Sequence, residues 1–341
     1  MRIAIATVQV PFLQGGAEAL TEGLKRAIQQ AGHPVEVITI PFRFFPELEI
    51  SRAITVWENE DYHSLNMVEP DLVICLKFPA FYLKHSRKRA WILHQFRGAY
   101  ELYEPASANA ISDYIRKKII DLDTYHLGQC DQLFTISERV AYRLHRYNQL
   151  SAKSLYHPPP HAESFYTAPA KPYIFAPGRI ETLKRQDMLI EAMRLVKSPV
   201  YAIIAGTGGQ YGRLSELIIR HNLQDRVRLL GAISLSELQA FYANCLGVFF
   251  GPFDEDYGYI SLEAMLSAKP VITCQDSGGP LEFVDHNVNG LVLKPAPEPL
   301  AAAIEQLYQR RAWATKLGRT GLDRYQSLNL SWEHVVANLL D

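Results

Sequence analysis

The chain has 341 residues, 48% of them hydrophobic, with 35 Lys and Arg against 36 Asp and Glu, so its formal net charge is −1. This length and apolar content predict two domains of ordinary size with packed cores. The near-neutral charge excludes a broad basic nucleic-acid binder, and we expect no nucleic-acid partner. The cysteines form no close pair of the kind that zinc sites use, and each lies in or beside an apolar run. We expect buried free thiols in a reducing compartment at Cys75, Cys130, Cys245 and Cys274.

The amino-terminal residues predict a βαβ unit. Residues 2–10 are a continuous apolar run of the buried-strand type, 17–31 are amphipathic, and 34–40 form the next strand. The first residues do not resemble a secretion segment, and no apolar run is long enough to span a bilayer. We therefore expect a cytoplasmic protein, at most peripheral at the inner face of a membrane. Gly15-Gly16 precedes the helix and is either a phosphate-facing turn or a simple tight turn, because the pattern G-x-G-x-x-G is incomplete.

Three further strands are predicted in the first half, at 71–76, 90–95 and 132–136. His94 closes the second of them at its carboxyl end, where a histidine is either structural or functional. Basic clusters at 84–89 and 116–118 are either solvated faces or contacts to an anionic membrane.

A proline-rich stretch from Tyr156 to Pro172 is typical of a semi-rigid linker and predicts the domain boundary. We expect one domain over 1–160 and a second over 170–325. The second half begins with a strand that ends at Gly178-Arg179, followed by a helix near Lys184. Later elements include strands at 200–205, before the glycine turn with Gly206, at 227–233, and at 271–274, and terminal helices at 299–309 and 331–340.

The stretch 253–270 joins an apolar strand, 246–252, to a helix that is expected to open near Gly258 and close at Lys269. An acidic loop at 254–256 lies between them, at the carboxyl end of a strand, where open α/β sheets bind ligands. Glu255 and Glu263 bracket the helix entrance. They either reach the hydroxyls of one polyol ligand or simply stabilise a solvated helix start.

Several motifs resemble one family in the expected order. They are Glu255-x7-Glu263-Ala with Tyr257-Gly258-Tyr259 inside it, Gly178-Arg179-x4-Lys184 before Leu-Ile-Glu-Ala, and Gly278-Gly279-Pro-x-Glu. Together they resemble the retaining glycosyltransferases of family 4, the group 1 glycosyl transferases. The resemblance implies an α/β fold of two Rossmann-like domains that face each other across a cleft (GT-B). It also implies that the first domain binds the acceptor, the second binds the donor, and a carboxyl-terminal helix, 328–341, joins the first domain.

The resemblance also assigns roles to individual residues. Arg179 and Lys184 would hold the donor pyrophosphate, Glu255 would orient the transferred sugar, and His94 would contact that sugar. Glu263 would bind the ribose. Further donor contacts carry over to Gly16, Gly206, Ile233, Tyr257, Gly258 and Tyr259.

Fixed cations can stabilise the charge that develops on a leaving diphosphate, so we expect no metal and no cofactor. Two Asp-x-Asp triplets, 121–123 and 254–256, keep a manganese site open as the alternative.

The resemblance implies a retaining hexosyltransferase that acts on a UDP-, GDP- or ADP-linked sugar. The expected acceptor is a saccharide or a lipid-linked sugar, in cell-envelope or polysaccharide biosynthesis. Two alternatives stay open at this point: a sugar-nucleotide epimerase or phosphorylase on the same fold, and a non-catalytic sugar-nucleotide-binding protein.

Overall fold

The computed structural model describes residues 1–12, 15–61, 63, 68–107 and 110–341. They form two compact units, one of Met1–Pro160 with Ser331–Asp341 and one of His161–Leu330. Each unit contains a six-stranded, fully parallel sheet with helices between the strands, so the expected pair of Rossmann-like α/β domains is confirmed. Acceptor binding by the first unit and donor binding by the second stay predictions.

The first unit has the strand order β2-β1-β3-β4-β5-β6. The inner strands β1, β3 and β4 are almost wholly buried, as expected for a parallel sheet covered on both faces, whereas β2, β5 and β6 are partly exposed. Its strands are β1 (Ile3–Gln9), β2 (Val35–Pro41), β3 (Leu72–Lys77), β4 (Lys88–His94), β5 (Gln132–Thr135) and β6 (Lys153–Ser154), and its helices before residue 160 are α1 (Gly16–Gln30), α2 (Glu47–Asn59), α3 (Asp113–Gly128) and α4 (Glu138–Asn148).

The second unit has the order β12-β11-β10-β7-β8-β9, in which the chain starts at a central strand and winds outwards in both directions. Branched and aliphatic side chains from both faces fill its core. Its strands are β7 (Tyr173–Pro177), β8 (Tyr201–Ala205), β9 (Val227–Leu229), β10 (Gly247–Phe249), β11 (Val271–Cys274) and β12 (Gly290–Leu293), and its helices are α5 (Gln186–Met193), α6 (Tyr211–Arg220), α7 (Leu235–Asn244), α8 (Tyr259–Leu266), α9 (Pro297–Gln309) and α10 (Arg311–Ser327).

A last helix, α11 (Trp332–Leu340), belongs to the first unit. Its amino-terminal turn is capped by the Ser331 hydroxyl, which accepts from the amide of His334. Trp332 lies directly against Gly23 of α1, where an added Cβ would lie 2.2 Å from the indole ring. The same indole stacks on His157, with 5.8 Å between ring centroids. Only glycine at position 23 admits this contact between the two helices.

The basic cluster at 84–89 is only partly a solvated face, because Lys88 and Arg89 are buried in β4. Lys88 Nζ donates to the carbonyls of Phe81 and Leu83, at 3.0 and 3.2 Å, and Arg89 donates to the carbonyl of Leu339 at 2.5 Å. Backbone carbonyls therefore take the place that water or acids take for a surface cation.

Some helix boundaries differ from the sequence expectation, and α9 begins at Pro297, two residues before its predicted start. The helix predicted near Lys184 begins at Gln186, because Arg185 has a left-handed φ of 54° and separates a short 3₁₀ turn from α5. The helix predicted to close at Lys269 ends at Leu266. Cys130 is partly exposed, whereas the other three cysteines are buried as expected. Within the described ranges, no helix is both long enough and apolar enough to cross a bilayer.

Candidate active site

The candidate site lies where the strand order of the second unit reverses direction. β7 pairs with both β8 and β10, and the chain leaves β7 and β10 on opposite sides of this point. In doubly wound sheets the crevice at the carboxyl ends of such strands is where ligands bind. We call the residues that follow β7, β8, β10 and β11 the carboxyl edge.

Two glycines allow the turns after β7 and β8 to touch. Gly178 and Gly206 have φ of 116° and 139°, and an added Cβ at Gly206 would lie 1.9 Å from the carbonyl oxygen of Gly178. The amide of Gly206 donates to Gly231 at 2.7 Å. Backbone packing therefore fixes the segment that carries Arg179, and it is also an adequate structural reason for Gly206 without any ligand contact.

Arg179 presents an exposed side chain at this edge. Its carbonyl accepts from the Gln186 side chain at 2.9 Å, which ties the turn to the start of α5. Its guanidinium makes no ion pair or side-chain hydrogen bond with any residue in the described ranges. An arginine held only through its backbone keeps all its donors available for an anion.

Lys184 and Glu255 are in direct contact, with 2.5 Å between Nζ and Oε2. Both side chains are largely buried, and the Lys184 ammonium also lies 5.5 Å from the centre of the Phe250 ring. The amide of Phe253 donates to the carbonyl of Leu183 at 2.7 Å, so the two loops that carry the pair are joined. Two residues predicted to hold different parts of one ligand therefore pair with each other.

The loop after β11 holds the backbone of Glu255. Its amide donates to Ser277 and its carbonyl accepts from Gly279, both at 2.8 Å. Gly278 has φ of 72°, and an added Cβ there would lie 2.6 Å from the Glu255 carbonyl oxygen. The Gly-Gly pair after β11 is therefore required so that the acidic loop can lie against it.

The start of α8 completes this edge. Gly258, with φ of 114°, precedes the first turn and provides no side-chain cap. Tyr257 is buried between Tyr259 and Phe283, with ring centroids 5.4 and 5.5 Å away. The aromatic-Gly-aromatic run thus has a packing role that aims the amino end of α8 at the carboxyl edge, which is a favourable place for negative charge.

Glu263 lies in the second turn of α8 and accepts a hydrogen bond from the Tyr242 hydroxyl at 2.5 Å. Burial raises the pKa of the Glu263 carboxyl to about 7, although the Tyr242 hydrogen bond opposes that shift. Near neutral pH this carboxyl is therefore present in both protonation states, so it can accept from or donate to a hydroxyl. Ile233 is half-buried immediately before α7, and its predicted base contact stays a prediction.

Sequence reasoning missed a second ion pair at this edge. The Arg185 guanidinium donates to both carboxylate oxygens of Asp276, at 2.8 and 2.7 Å, and lies 5.2 Å from the centre of the Phe253 ring. Asp276 follows β11, so the rule that polar residues after parallel strands converge would have identified it. Arg185 gave no such signal, because its left-handed backbone is visible only in the structure.

The site residues predicted in the first unit are His94 and Gly16. His94 ends β4, and its Nδ1 is 2.8 Å from the carbonyl oxygen of Gln95. Gly16 is the first residue of α1, and residues 13–14 of the predicted turn lie outside the described residues. The predicted contacts of His94 with the donor sugar and of Gly16 with the diphosphate stay predictions.

Beside His94, a buried polar network surrounds Asp123 of α3. The hydroxyls of Tyr82 and Tyr100 each donate to its carboxyl at 2.5 Å, and Gln95 donates to it at 3.3 Å. Burial raises the pKa of Asp123 to about 7. Asp121, the other acid of this triplet, is exposed, so the two carboxyls do not share a site. Among the residues that the structure describes, no three His, Cys, Asp or Glu side chains form a group that could hold a metal.

Comparison with known proteins matches residues 163–324 to the family "Glycosyl transferases group 1". The alpha-1,3/1,6-mannosyltransferase ALG2 of Homo sapiens is 32% identical over 163 residues, 43% of this chain and 39% of that protein. Sucrose synthase 1 of Tulipa gesneriana is 28% identical over 179 residues, 45% of this chain and 22% of that protein. The chain thus spans less than half the length of these curated relatives.

Several solved structures match over nearly the whole chain, and two of them illustrate the likeness. Sucrose-phosphate synthase from Thermosynechococcus elongatus has a TM-score of 0.80 and 21% identity, covering 99% of this chain and 97% of that one. Anabaena HepE, solved in complex with UDP and glucose, has a TM-score of 0.73 and 19% identity, covering 100% and 99%. These likenesses concern the fold.

Proposed function

We propose that the protein transfers a sugar from a nucleoside-diphosphate sugar to a saccharide or lipid-linked acceptor, on the premise that residues 163–324 match the family "Glycosyl transferases group 1". The observation that carries this proposal is the contact between Lys184 and Glu255 at the carboxyl edge, with the open side chain of Arg179 on the same edge. The pair brings a cation for a diphosphate next to a carboxylate for sugar hydroxyls.

The proposed chemistry begins with the leaving group. Breaking the bond between the sugar and the phosphate builds negative charge on the departing nucleoside diphosphate, and fixed cations stabilise that charge without reorganising. Arg179 has free donors for this purpose. Lys184 would exchange its contact with Glu255 for a phosphate oxygen when the donor binds. The exchange would leave the Glu255 carboxylate available to accept from hydroxyls of the transferred sugar.

We propose that Glu263 holds the ribose. Its carboxyl lies one helical turn inside α8, is oriented by the Tyr242 hydroxyl, and has a pKa near neutrality. A ribose diol can donate to it, and the uncapped amino end of α8 favours the adjacent phosphate charge.

We propose retention of anomeric configuration, with the leaving phosphate accepting the proton of the acceptor on the same face. The family resemblance supports this proposal. We also propose that the reaction needs no metal, because Arg179 and Lys184 supply the positive charge. A role in cell-envelope or polysaccharide synthesis, at the inner face of the membrane, belongs to the same proposal.

The test starts with a thermal-shift screen of UDP-, GDP- and ADP-sugars, since a ligand that binds the folded state raises its apparent stability. The stabilising donor is then incubated with saccharide and lipid-linked acceptors, and release of the nucleoside diphosphate is measured with and without EDTA. We expect acceptor-dependent release that EDTA leaves unchanged. Loss of turnover that manganese restores would contradict metal independence.

Three other results would replace the proposal. Conversion of the donor without an acceptor indicates an epimerase, and a requirement for inorganic phosphate indicates a phosphorylase. Binding without turnover for every acceptor indicates a non-catalytic binding protein. Arg179→Ala is the test variant and Arg194→Ala is its control. Arg194 directly follows α5, is exposed and pairs with Glu191 of that helix. Equal turnover in folded Arg179→Ala and wild type would remove the leaving-group assignment.

A further inference from the structure

A cavity of about 590 Å³ lies at the opposite end of the sheet from the candidate active site. It is bounded by the segment 167–170, by residues 268–270 before β11, and by one face of α10. Leu246, just before β10, also lines it, so the cavity lies at the end where these strands begin. We call this end the amino edge. The amino edge and the carboxyl edge lie at the two ends of β11, whose four residues span about 13 Å.

Lys269 supplies a buried positive charge to this cavity. Its residue is only 5% exposed, and Nζ donates to the carbonyl oxygen of Ala168 at 2.7 Å. An ammonium has three donors, and no carboxylate in the described part of the chain pairs with this one. Burial lowers the pKa of Lys269, which reflects a charge that the protein leaves without an opposite charge.

Two arginines of α10 add to the charge. Arg311 donates to the carbonyl of Ala170 at 3.1 Å and lies 4.7 Å from the centre of the Tyr308 ring. Arg319 lies eight residues further along the same helix face, is exposed, and has no ion pair among the described residues. The described residues that line the cavity thus include three cations and no acid.

The helix itself adds to this field. α10 has 17 residues, begins at Arg311, and has no side-chain cap at its amino end. The amino end of a helix carries partial positive charge from its unpaired amides. Apolar side chains, including Ala314 and Leu322, form the rest of the wall, and the volume is in the range of small-molecule pockets.

We propose that this cavity is a second ligand site, which binds a small molecule through a phosphate group held by Lys269, Arg311 and Arg319. Three cations without an acid match a phosphate dianion, because each arginine can donate two parallel hydrogen bonds and lysine provides a point charge. The apolar part of the ligand would lie against Ala314 and Leu322. The site does not depend on the proposed transferase activity, since none of its residues belongs to the carboxyl edge.

The test must separate this site from the diphosphate site proposed at the carboxyl edge. The full chain carrying Arg179→Ala and Lys184→Ala is therefore titrated with inorganic phosphate by calorimetry at low ionic strength. We expect saturable binding of one equivalent, weakened at least tenfold by adding Arg319→Gln. Arg319→Lys, which keeps the charge, should retain most of the affinity, and Arg194→Gln should retain all of it.

Because Arg319 is exposed, Arg319→Gln leaves the fold intact, and Lys269→Met serves as the second variant. Two results would overturn the proposal. One is that the Arg179→Ala, Lys184→Ala chain does not bind phosphate. The other is that adding Arg319→Gln or Lys269→Met to that chain leaves a folded protein with unchanged affinity for phosphate. The phosphate source is then resolved with two phosphate monoesters, glycerol phosphate in solution and phosphatidic acid in vesicles, with phosphatidylcholine vesicles as the control. Binding of the soluble ester alone identifies a metabolite, and Lys269-dependent binding to the anionic vesicles alone identifies a lipid headgroup.

Discussion

The two edges of the second sheet hold their cations in opposite ways. At the carboxyl edge, Lys184 and Arg185 each pair with a carboxylate, at 2.5 Å from Glu255 and 2.7 Å from Asp276. At the amino edge, the partners of Lys269 and Arg311 among the described residues are backbone carbonyls, those of Ala168 and Ala170. A paired cation is compensated while the site is empty, and its position is defined by its partner. An unpaired cation leaves net positive charge in the cavity. An anion that enters it therefore gains more electrostatic stabilisation than an anion that must replace a carboxylate.

The first prediction breaks the carboxyl-edge pair and carries the largest expected effect on turnover. Lys184→Met and Glu255→Gln should each lower turnover more than tenfold, over about 1.4 kcal/mol of barrier. Because the two residues act on one ligand, the double variant should be little worse than the more severe single variant. Steady-state kinetics on the donor found in the screen measures this.

Arg213→Met is the control for that cycle, since it removes an exposed pair with Asp187 and should leave turnover unchanged. Strictly additive losses in Lys184→Met and Glu255→Gln would show that the pair does not act as a unit.

The second prediction concerns the backbone that builds the carboxyl edge. Gly206→Ala should lower the free energy of unfolding by about 3 kcal/mol, because its Cβ would overlap the Gly178 carbonyl and its φ of 139° is strained for alanine. Gly212→Ala is the matched control, because this α6 position has open space. There we expect a gain of about 0.5–1 kcal/mol. Urea unfolding measures both, and similar values for the two variants would contradict the contact.

The third prediction is a pH dependence at Glu263. Burial raises its pKa to about 7 in the folded protein from an ordinary value of 4.5, so the folded state binds the proton more tightly. Stability at this position is therefore greatest below about pH 4.5 and falls as pH rises to about 7, at up to about 1.4 kcal/mol per pH unit. Relative to Glu263→Gln, wild type should lose stability across this window in urea unfolding.

Glu237 provides the control of opposite sign. Its hydrogen bonds with Ser234 in the capping box lower its pKa, so its contribution is present at neutral pH and is lost as the pH falls. Glu237→Gln should therefore differ from wild type near neutrality and converge with it in acid. The same direction of change for both variants would contradict the assigned pKa shifts.

The fourth prediction has the smallest effect and compares the two edges directly. Arg185→Met should lower the free energy of unfolding by about 1 kcal/mol, because it leaves Asp276 without its partner. Lys269→Met should leave stability unchanged or raise it, because it removes a buried charge that has no opposite charge. A larger loss from Lys269→Met than from Arg185→Met would reverse the comparison.

The sequence predicted the central strands, because buried parallel strands read as apolar runs. It also assigned Lys184 and Glu255 to different parts of one ligand, but it did not predict the ion pair between them. Burial of Lys88 and Arg89 could not be predicted, since the carbonyls that accept from them belong to segments brought close only by folding. The burial and hydrogen bonds of Asp123 could not be predicted for a similar reason. Its partners Tyr82 and Tyr100 come from two other segments, and an acid inside a helix gives no sign that tyrosines will surround it.

The contact between Trp332 and Gly23 has a consequence for how the protein is made. The first unit contains residues 1–160 and also 331–341, so the whole second unit is inserted into it. On the ribosome, the surface of α1 that receives Trp332 stays uncovered until residue 332 has been synthesised and has left the exit tunnel. The second unit can thus fold before the first is complete, and nascent chains halted between residues 160 and 331 should be the species most dependent on chaperones.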